Sequence, residues 1–380
     1  MTNVDSPPGA AELTALAALA DTSLEIIVSL QDASGAYPAS PSFSAYRGYS
    51  WFRDGAFIAD GVSAYGAADS ATRFFDWCSG ILLSREEQID RVVAAAAAGS
   101  PVSDIEMLPT RFTFAGDSGA DDWWDFQLDG YGTWLWAVAA HAERHGLQLE
   151  NWLRAIELTV DYLVSSWNRP CFDWWEEHTD EVHVSTLGCV LAGLSAIAKS
   201  GVLDNDRQVR VYTTVKAIEA LVAAQGTPDG HLSKWLGSNE VDASLLSLVG
   251  LMGVVPASGA VGSATIAAID EQLNVGGGVH RYSRDTFYGG GQWPLLSCML
   301  GLAFAAQGDS SRALAQLRWV AGTATEVGEL PEQVPLHLLD SGMRQEWVDR
   351  WGSVATPLLW SHAMYLRLAV ELGIGVGAER

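Results

Sequence analysis

Two short segments of this chain place carboxyl groups where proton transfer is plausible chemistry. The first, Cys171-Phe172-Asp173-Trp174-Trp175-Glu176-Glu177, puts three carboxylates within five residues and flanks them with indoles. Adjacent like charges raise one another's pKa and apolar rings desolvate them, so one can stay protonated near neutrality, as a general acid must. By composition alone, a solvated acidic turn is the better account of such a run. The second, Leu330-Pro331-Glu332-Gln333, is weaker by itself, because a single Glu in a loop is usually a surface residue. Tryptophan accompanies the acids: there are 16, and several fall outside the helical pattern, such as Trp123 and Trp124 beside Asp121, Asp122 and Asp125. A flat ring stacks on the C–H face of a pyranose while carboxylates, Arg and amides take its hydroxyls, so this mixture suits a carbohydrate pocket. Trp134, Trp152 and Trp319 lie within helical periodicity and read as core.

Other chemistries find less support. His141 and His145 have the i, i+4 spacing of zinc ligands, but the Glu between them is misplaced for H-E-x-x-H and no third ligand is near in sequence, so they read as a solvated helix end. Gly276 to Gly278 and Gly289 to Gly291 lack the G-K-[ST] of a phosphate loop and read as bends near a pocket. There is no G-x-S-x-G nucleophile elbow. Cys78, Cys171, Cys189 and Cys298 contain no C-x-x-C and read as reduced, buried thiols. The net charge of −24 repels phosphate backbones and anionic lipid, so neither nucleic acid nor a membrane is an expected partner. The polar, proline-containing start shows no secretory pattern. The uncharged stretches 243–269 and 286–308 are interrupted by Pro and Gly, and read as buried helices rather than spans. The expectation is a soluble, cytoplasmic protein.

The elements that must position these residues are helical. Apolar residues at three- and four-residue spacing predict helices over 11–30, 57–83, 131–144, 152–166, 184–199, 209–224, 295–306, 312–324 and 355–372. Some, such as 184–198 and 295–306, are almost uncharged all round and belong between other helices; others have one charged face. This alternation predicts two concentric layers. Strand-like alternation is confined to pieces such as 181–184, and the alanine run at 94–98 reads as helix interior. The connections 36–54, 109–129, 167–177, 276–292 and 329–345 exceed the usual length of about 4–6 residues. They hold most of the aromatic and acidic residues singled out above.

Taken together, the motifs resemble the catalytic domain of glycoside hydrolase family 15, the glucoamylase-like inverting glucosidases, from Tyr46 to Ala363. Tyr49-Ser50-Trp51-Phe52-Arg53-Asp54 resembles the family's aromatic-x-Trp-x-Arg-Asp segment, and Asp173-Trp174-Trp175-Glu176-Glu177 its general-acid segment. Arg281-Tyr282, Asp285-Thr286-Phe287-Tyr288 and Trp293 are similar to the next sugar-binding loop. Glu332-Gln333 followed by Leu359 to Ala363 resembles the general-base loop and the helix behind it. The resemblance implies an all-α fold, an (α/α)6 toroid of six inner and six outer helices, with residues 1–380 forming one catalytic domain without a β-sandwich or starch-binding module. It implies Glu176 as general acid and Glu332 as general base, with no metal and no cofactor. Arg53 and Asp54 would bind the 4- and 6-hydroxyls of the non-reducing glucose, with Glu177 and Arg281 on neighbouring hydroxyls and Trp51, Trp174, Trp175 and Trp360 as walls. Removing Asp54 is expected to leave Arg53 unpaired.

Two departures stand out. Arg47 occupies the position where relatives carry a water-holding Tyr, and a one-residue insertion at Gly48 keeps Tyr46 in that role. Phe287 replaces a common Tyr, which bears on the orientation of Tyr46 and on the pH profile. The resemblance is nearest to compact bacterial members acting on isomaltose, so a small saccharide is the expected substrate. An α-1,4-preferring glucoamylase, a trehalase and a non-catalytic sugar-binding protein are the alternatives.

Overall fold

The computed structural model describes residues 8–120, 123 and 126–375. Asp121, Asp122, Trp124 and Asp125 of the tryptophan–acid cluster lie outside the described residues. The helices are α1 (Ala10–Leu30), α2 (Phe52–Ala64), α3 (Ala68–Ser84), α4 (Glu86–Ala97), α5 (Asp129–His145), α6 (Leu153–Ser166), α7 (Val184–Ser200), α8 (Asn205–Gln225), α9 (Ala260–Leu273), α10 (Pro294–Ala306), α11 (Ser310–Ala321), α12 (Ser341–Trp351) and α13 (Leu359–Glu371).

Burial divides them into two layers. Helices α2, α5, α7, α10 and α13 are buried along most of their length, and α7 and α10 are nearly uncharged, as all-round burial requires. They pack in a closed order: α2 on α5, α5 on α7, then the segment Ala243–Leu251, then α10, α13 and α2 again. Helices α1, α3, α6, α8, α9 and α11 form the outer layer, each burying a single stripe. In α1 the stripe is Leu16, Ala20, Ser23 and Ile27, at alternating four- and three-residue steps. The sixth inner position departs from a regular helix. Ala243–Leu245 is a 3₁₀ turn and Ser247–Leu251 a π-helical turn, and the chain then breaks before α9 on the outside. The 243–269 stretch is therefore two short elements followed by the first part of α9, and not one buried helix.

Small residues let the inner ring close. A β-carbon on Gly132 of α5 would lie 2.5 Å from the backbone of Cys189 on α7, and one on Gly193 would strike the carbonyl of Gly132. His362, fully buried on α13, accepts a hydrogen bond from the Leu330 amide at Nε2 (2.9 Å) and pairs with Ser23 of α1 through Nδ1 (2.9 Å), so the first and last elements meet beside the Glu332 loop.

Several sequence expectations need correction. The 57–83 pattern is two helices, because the chain turns at Gly66 with φ +108°. The 329–345 connection contains the start of α12. Residues 181–184 form no strand; His183 makes a single bridge to Trp235. His141 is buried rather than solvated, accepting from or donating to Ser63 (2.8 Å) and Thr72 (2.9 Å), and burial beside His145 lowers its pKa to about 4. Helix α1 is the one described helix long and apolar enough to cross a membrane, with a mean hydropathy of 1.6. It carries Glu12 paired with Arg318 and Asp21 bonded to Tyr65, and packs on α13 as an outer helix of the ring.

Candidate active site

The pocket opens at the N-terminal ends of the inner helices, where the long loops gather. Strand β1 (Tyr49–Trp51) pairs antiparallel with β2 (Arg111–Thr113), setting Trp51 opposite Arg111 immediately before α2 begins. Arg53 and Asp54 fall in the first turn of α2, and Trp360 in the first turn of α13. Strands β3 (Asn274–Val275) and β4 (Gly278–Val279) close over Gly276 and Gly277, with φ of +62° and +99°. A two-residue hairpin turn of this kind needs positive φ at both positions, which explains the glycine run and delivers Arg281 to the cavity.

The cavity measures about 430 Å³. Tyr46, Trp51, Arg53, Asp54, Trp174, Trp175, Glu176, Glu177, Arg281, Glu332 and Trp360 all line it. Its floor is Trp360, stacked on Phe57 at 5.2 Å with 11° between the planes. Phe57 also meets Trp136. Trp136 belongs to a larger, open depression of about 880 Å³ at the opposite mouth of the ring. The paired carboxyls and the indoles around them are all on the first side, so size does not decide which cavity carries the chemistry.

The two candidate catalytic groups are linked through two aromatic side chains. Trp51 donates its indole N–H to Glu176 Oε1 (2.8 Å), and Tyr46 donates its hydroxyl to Glu332 Oε1 (2.8 Å). The Tyr46 and Trp51 rings meet edge to face at 5.5 Å. Tyr46 also rests on Phe43 at 4.5 Å. Burial pushes the Glu176 carboxyl up to about 7, with the Arg53 charge and the Trp51 bond pulling the other way. Burial does the same to Glu332, again to about 7, opposed by the Tyr46 bond and Arg281. Among the described residues, Glu332 Oε2 and the indole N–H groups of Trp123, Trp293 and Trp360 are buried without a hydrogen-bond partner. Buried polar atoms are rarely left so, and all four residues line the cavity.

Arg53 is held by more than its neighbour. It donates to Gln127 Oε1 (2.6 Å), to Asp129 Oδ2 (3.1 Å) and to Asp54 Oδ1 (3.1 Å). The expectation that Asp54 alone neutralises Arg53 is therefore corrected: Asp129, at the start of α5 and fully buried, is a second counter-charge. Arg281 is clamped by Asp285 through Nε (2.8 Å) and Nη2 (2.5 Å), with Glu177 at 3.5 Å. Glu177 accepts from the Tyr282 hydroxyl (2.5 Å).

The acid loop is a tight turn. Glu176 has φ +63°, left-handed for an L-residue, and its amide donates to Asp173 O (3.0 Å). Asp173 Oδ1 accepts from the amides of Trp175 and Glu177, both at 2.9 Å. Asp173, Glu177 and His178 bring possible ligand atoms within 4.8 Å, but the Lys234 ammonium already lies 3.6 Å from Asp173 Oδ2. The residues that sequence reasoning missed are Gln127, Asp129, Lys234, Asp242 and the α12 side chains Trp347, Arg350 and Trp351 at the mouth. Lys234 and Asp242 carry no local signal, whereas Gln127 and Asp129 adjoin the tryptophan–acid run and Trp347, Arg350 and Trp351 form a similar run, Glu346 to Trp351.

Comparisons with known proteins identify relatives over nearly the whole chain. An isomaltose glucohydrolase from Kribbella flavida is 55% identical over 364 residues, covering 96% of this chain and 94% of its own. The solved structure of a wild-type glycosidase superposes with a TM-score of 0.95 at 54% identity, over 97% of this chain and 100% of the other. A glucoamylase from Saccharomycopsis fibuligera shares the fold, with a TM-score of 0.73 at 14% identity over 98% and 96% of the two chains. The sequence profile described as glycosyl hydrolases family 15 matches residues 14–370, so with these helices, this pocket and these relatives the chain belongs to that family.

Proposed function

We propose that this enzyme is an exo-acting, inverting α-glucosidase whose substrate is a small α-glucoside, isomaltose above others. The observation that carries the reading is the bridge Glu176–Trp51–Tyr46–Glu332 inside one cavity. Glu176, protonated, gives its proton to the glycosidic oxygen as the C1–O bond breaks. A water attacks C1 from the opposite face and loses its proton to Glu332 Oε2, while Tyr46 holds Oε1. The products are β-glucose and the released sugar; Glu176 is left ionised and Glu332 protonated. Both carboxyls titrate at about 7, so exchange with solvent near neutrality resets them with little free-energy cost.

Recognition in this reading falls to Arg53 and Asp54, to Arg281 and Glu177, and to the walls Trp51, Trp174, Trp175 and Trp360. A pocket floored by stacked Trp360 and Phe57 favours a chain end over an internal bond. Preference for isomaltose rests on the 55% identity to an isomaltose glucohydrolase. All four cysteines are buried and unpaired, which suits a reducing compartment, so the cytoplasm is the location we propose.

Stereochemistry tests the mechanism. Inverting enzymes leave room for a water between base and sugar, and retaining ones form a covalent intermediate. NMR of the anomeric proton in the first minutes of hydrolysis is expected to show β-glucose; initial α-glucose would require the role of Glu332 to be withdrawn. Glucose release from isomaltose, maltose and trehalose in parallel tests the linkage. Faster release from maltose or trehalose would replace the substrate, and binding without release would point to a sugar-binding protein.

A further inference from the structure

Lys234 is a buried cation that the reading above does not use. Its residue is 2% exposed and does not line the pocket. Its backbone is fixed on both sides, the amide donating to Glu240 O (2.8 Å) and the carbonyl accepting from Val184 at the start of α7 (3.2 Å). Three groups surround the ammonium: Asp242 Oδ2 at 3.1 Å, Asp173 Oδ2 at 3.6 Å, and the Tyr282 ring with its centroid at 3.3 Å. Each of these holds one residue of the acid loop. Asp173 accepts from the amides on either side of Glu176. Asp242 accepts the indole N–H of Trp175 (2.9 Å). Tyr282 donates to Glu177.

The turn itself is not favoured locally, because Glu176 lies in the left-handed region, which L-residues occupy only when neighbouring contacts over-determine it. Without the ammonium, Asp173 and Asp242 would be two buried carboxylates with no cation between them. One would take up a proton or turn away, and the loop would lose an acceptor. We propose that Lys234 is the positioning residue for proton delivery by Glu176, acting through Asp173, Asp242 and Tyr282 and never touching substrate. The inference rests on the assignment of Glu176 as general acid.

The test compares two substrates that differ in their need for a proton. An alkoxide leaving group requires one, whereas fluoride departs from α-glucosyl fluoride with little protonation; water attack is common to both. Lys234→Met and Lys234→Gln are measured on isomaltose and on α-glucosyl fluoride, with Glu176→Gln as the reference. Loss of a positioned acid typically costs about 10²–10⁴-fold, so a displaced one is expected to lower kcat on isomaltose by about 10²-fold, with less than about a tenfold change in kcat on the fluoride. The ratio of the two rates is independent of how much of a variant is folded. Equal losses on both substrates, or no loss on either, would overturn the proposal. So would two variants inactive even on the fluoride, which would make Lys234 a folding residue. If Glu176→Gln itself shows no such selectivity, the acid assignment fails instead.

Discussion

Glu176 and Glu332 sit in loops that line the pocket, and Gln has nearly the size of Glu, so replacing either by Gln keeps shape while removing the proton. Each variant is expected to lose about 10²–10⁴-fold in kcat with an unchanged circular dichroism spectrum; near-wild-type turnover in either would refute its role. The same residues carry a stability cost. Glu332 titrates at about 7 in the fold against an ordinary value of 4.5, so between those values the native state binds more protons than the unfolded chain. Stability must then fall as pH rises through that window and level off above it. Glu332→Gln removes the penalty. Its Tm is expected to exceed that of the parent at about pH 8 and to match it at about pH 4, with a stability gain at the higher pH on the order of 3 kcal/mol. Differential scanning calorimetry at the two pH values decides this, and a gain confined to the acid side would contradict the burial argument.

At the scale of elements, the first turns of α2 and α5 are joined by Arg53 and Asp129, and this pair helps fix how Arg53 is presented to the pocket. The two aspartates on Arg53 are expected to separate cleanly. Asp129 has no exposure and also accepts from the Gly130 amide (2.8 Å), so Asp129→Ala breaks a buried pair and is expected to cost about 3–5 kcal/mol of stability. Asp54 lines the pocket, and its removal leaves Asp129 and Gln127 on the guanidinium. Asp54→Ala is therefore expected to raise KM with a smaller fall in Tm. Melting curves and steady-state kinetics on the two variants would show the reverse order if Asp54 were the structural partner.

At the scale of the molecule, the ring closes only because its inner helices approach at glycines. Gly132→Ala would force the α5–α7 seam apart, since its β-carbon meets the Cys189 backbone at 2.5 Å, and overpacking of this kind costs about 1–3 kcal/mol. Urea unfolding measures it; an unchanged midpoint would mean that the seam has slack. How much of this was legible in the sequence follows from how local each signal is. Helix periodicity and the lack of charge on α7 and α10 are properties of neighbouring residues, and they sufficed for two layers and for most helix positions. The Asp173 to Glu177 run and Glu332 were recognisable because their motifs are contiguous, even though composition alone left the first of them as a solvated turn. The turn at Gly66 was a local signal overlooked, closed by Gly66 N–H to Ser63 O and Ala67 N–H to Val62 O; the irregular sixth inner segment and α12 were missed because each depends on packing against distant chain. The same is true of the second partner of Arg53, the burial of His141 and the place of Lys234. A buried charge is stabilised by whichever opposite charge the fold brings within a few ångströms, and sequence distance carries no trace of that. The sequence by itself determined which residues could give and take protons; the tertiary structure decided which of them are desolvated, what holds them, and that they line a single cavity.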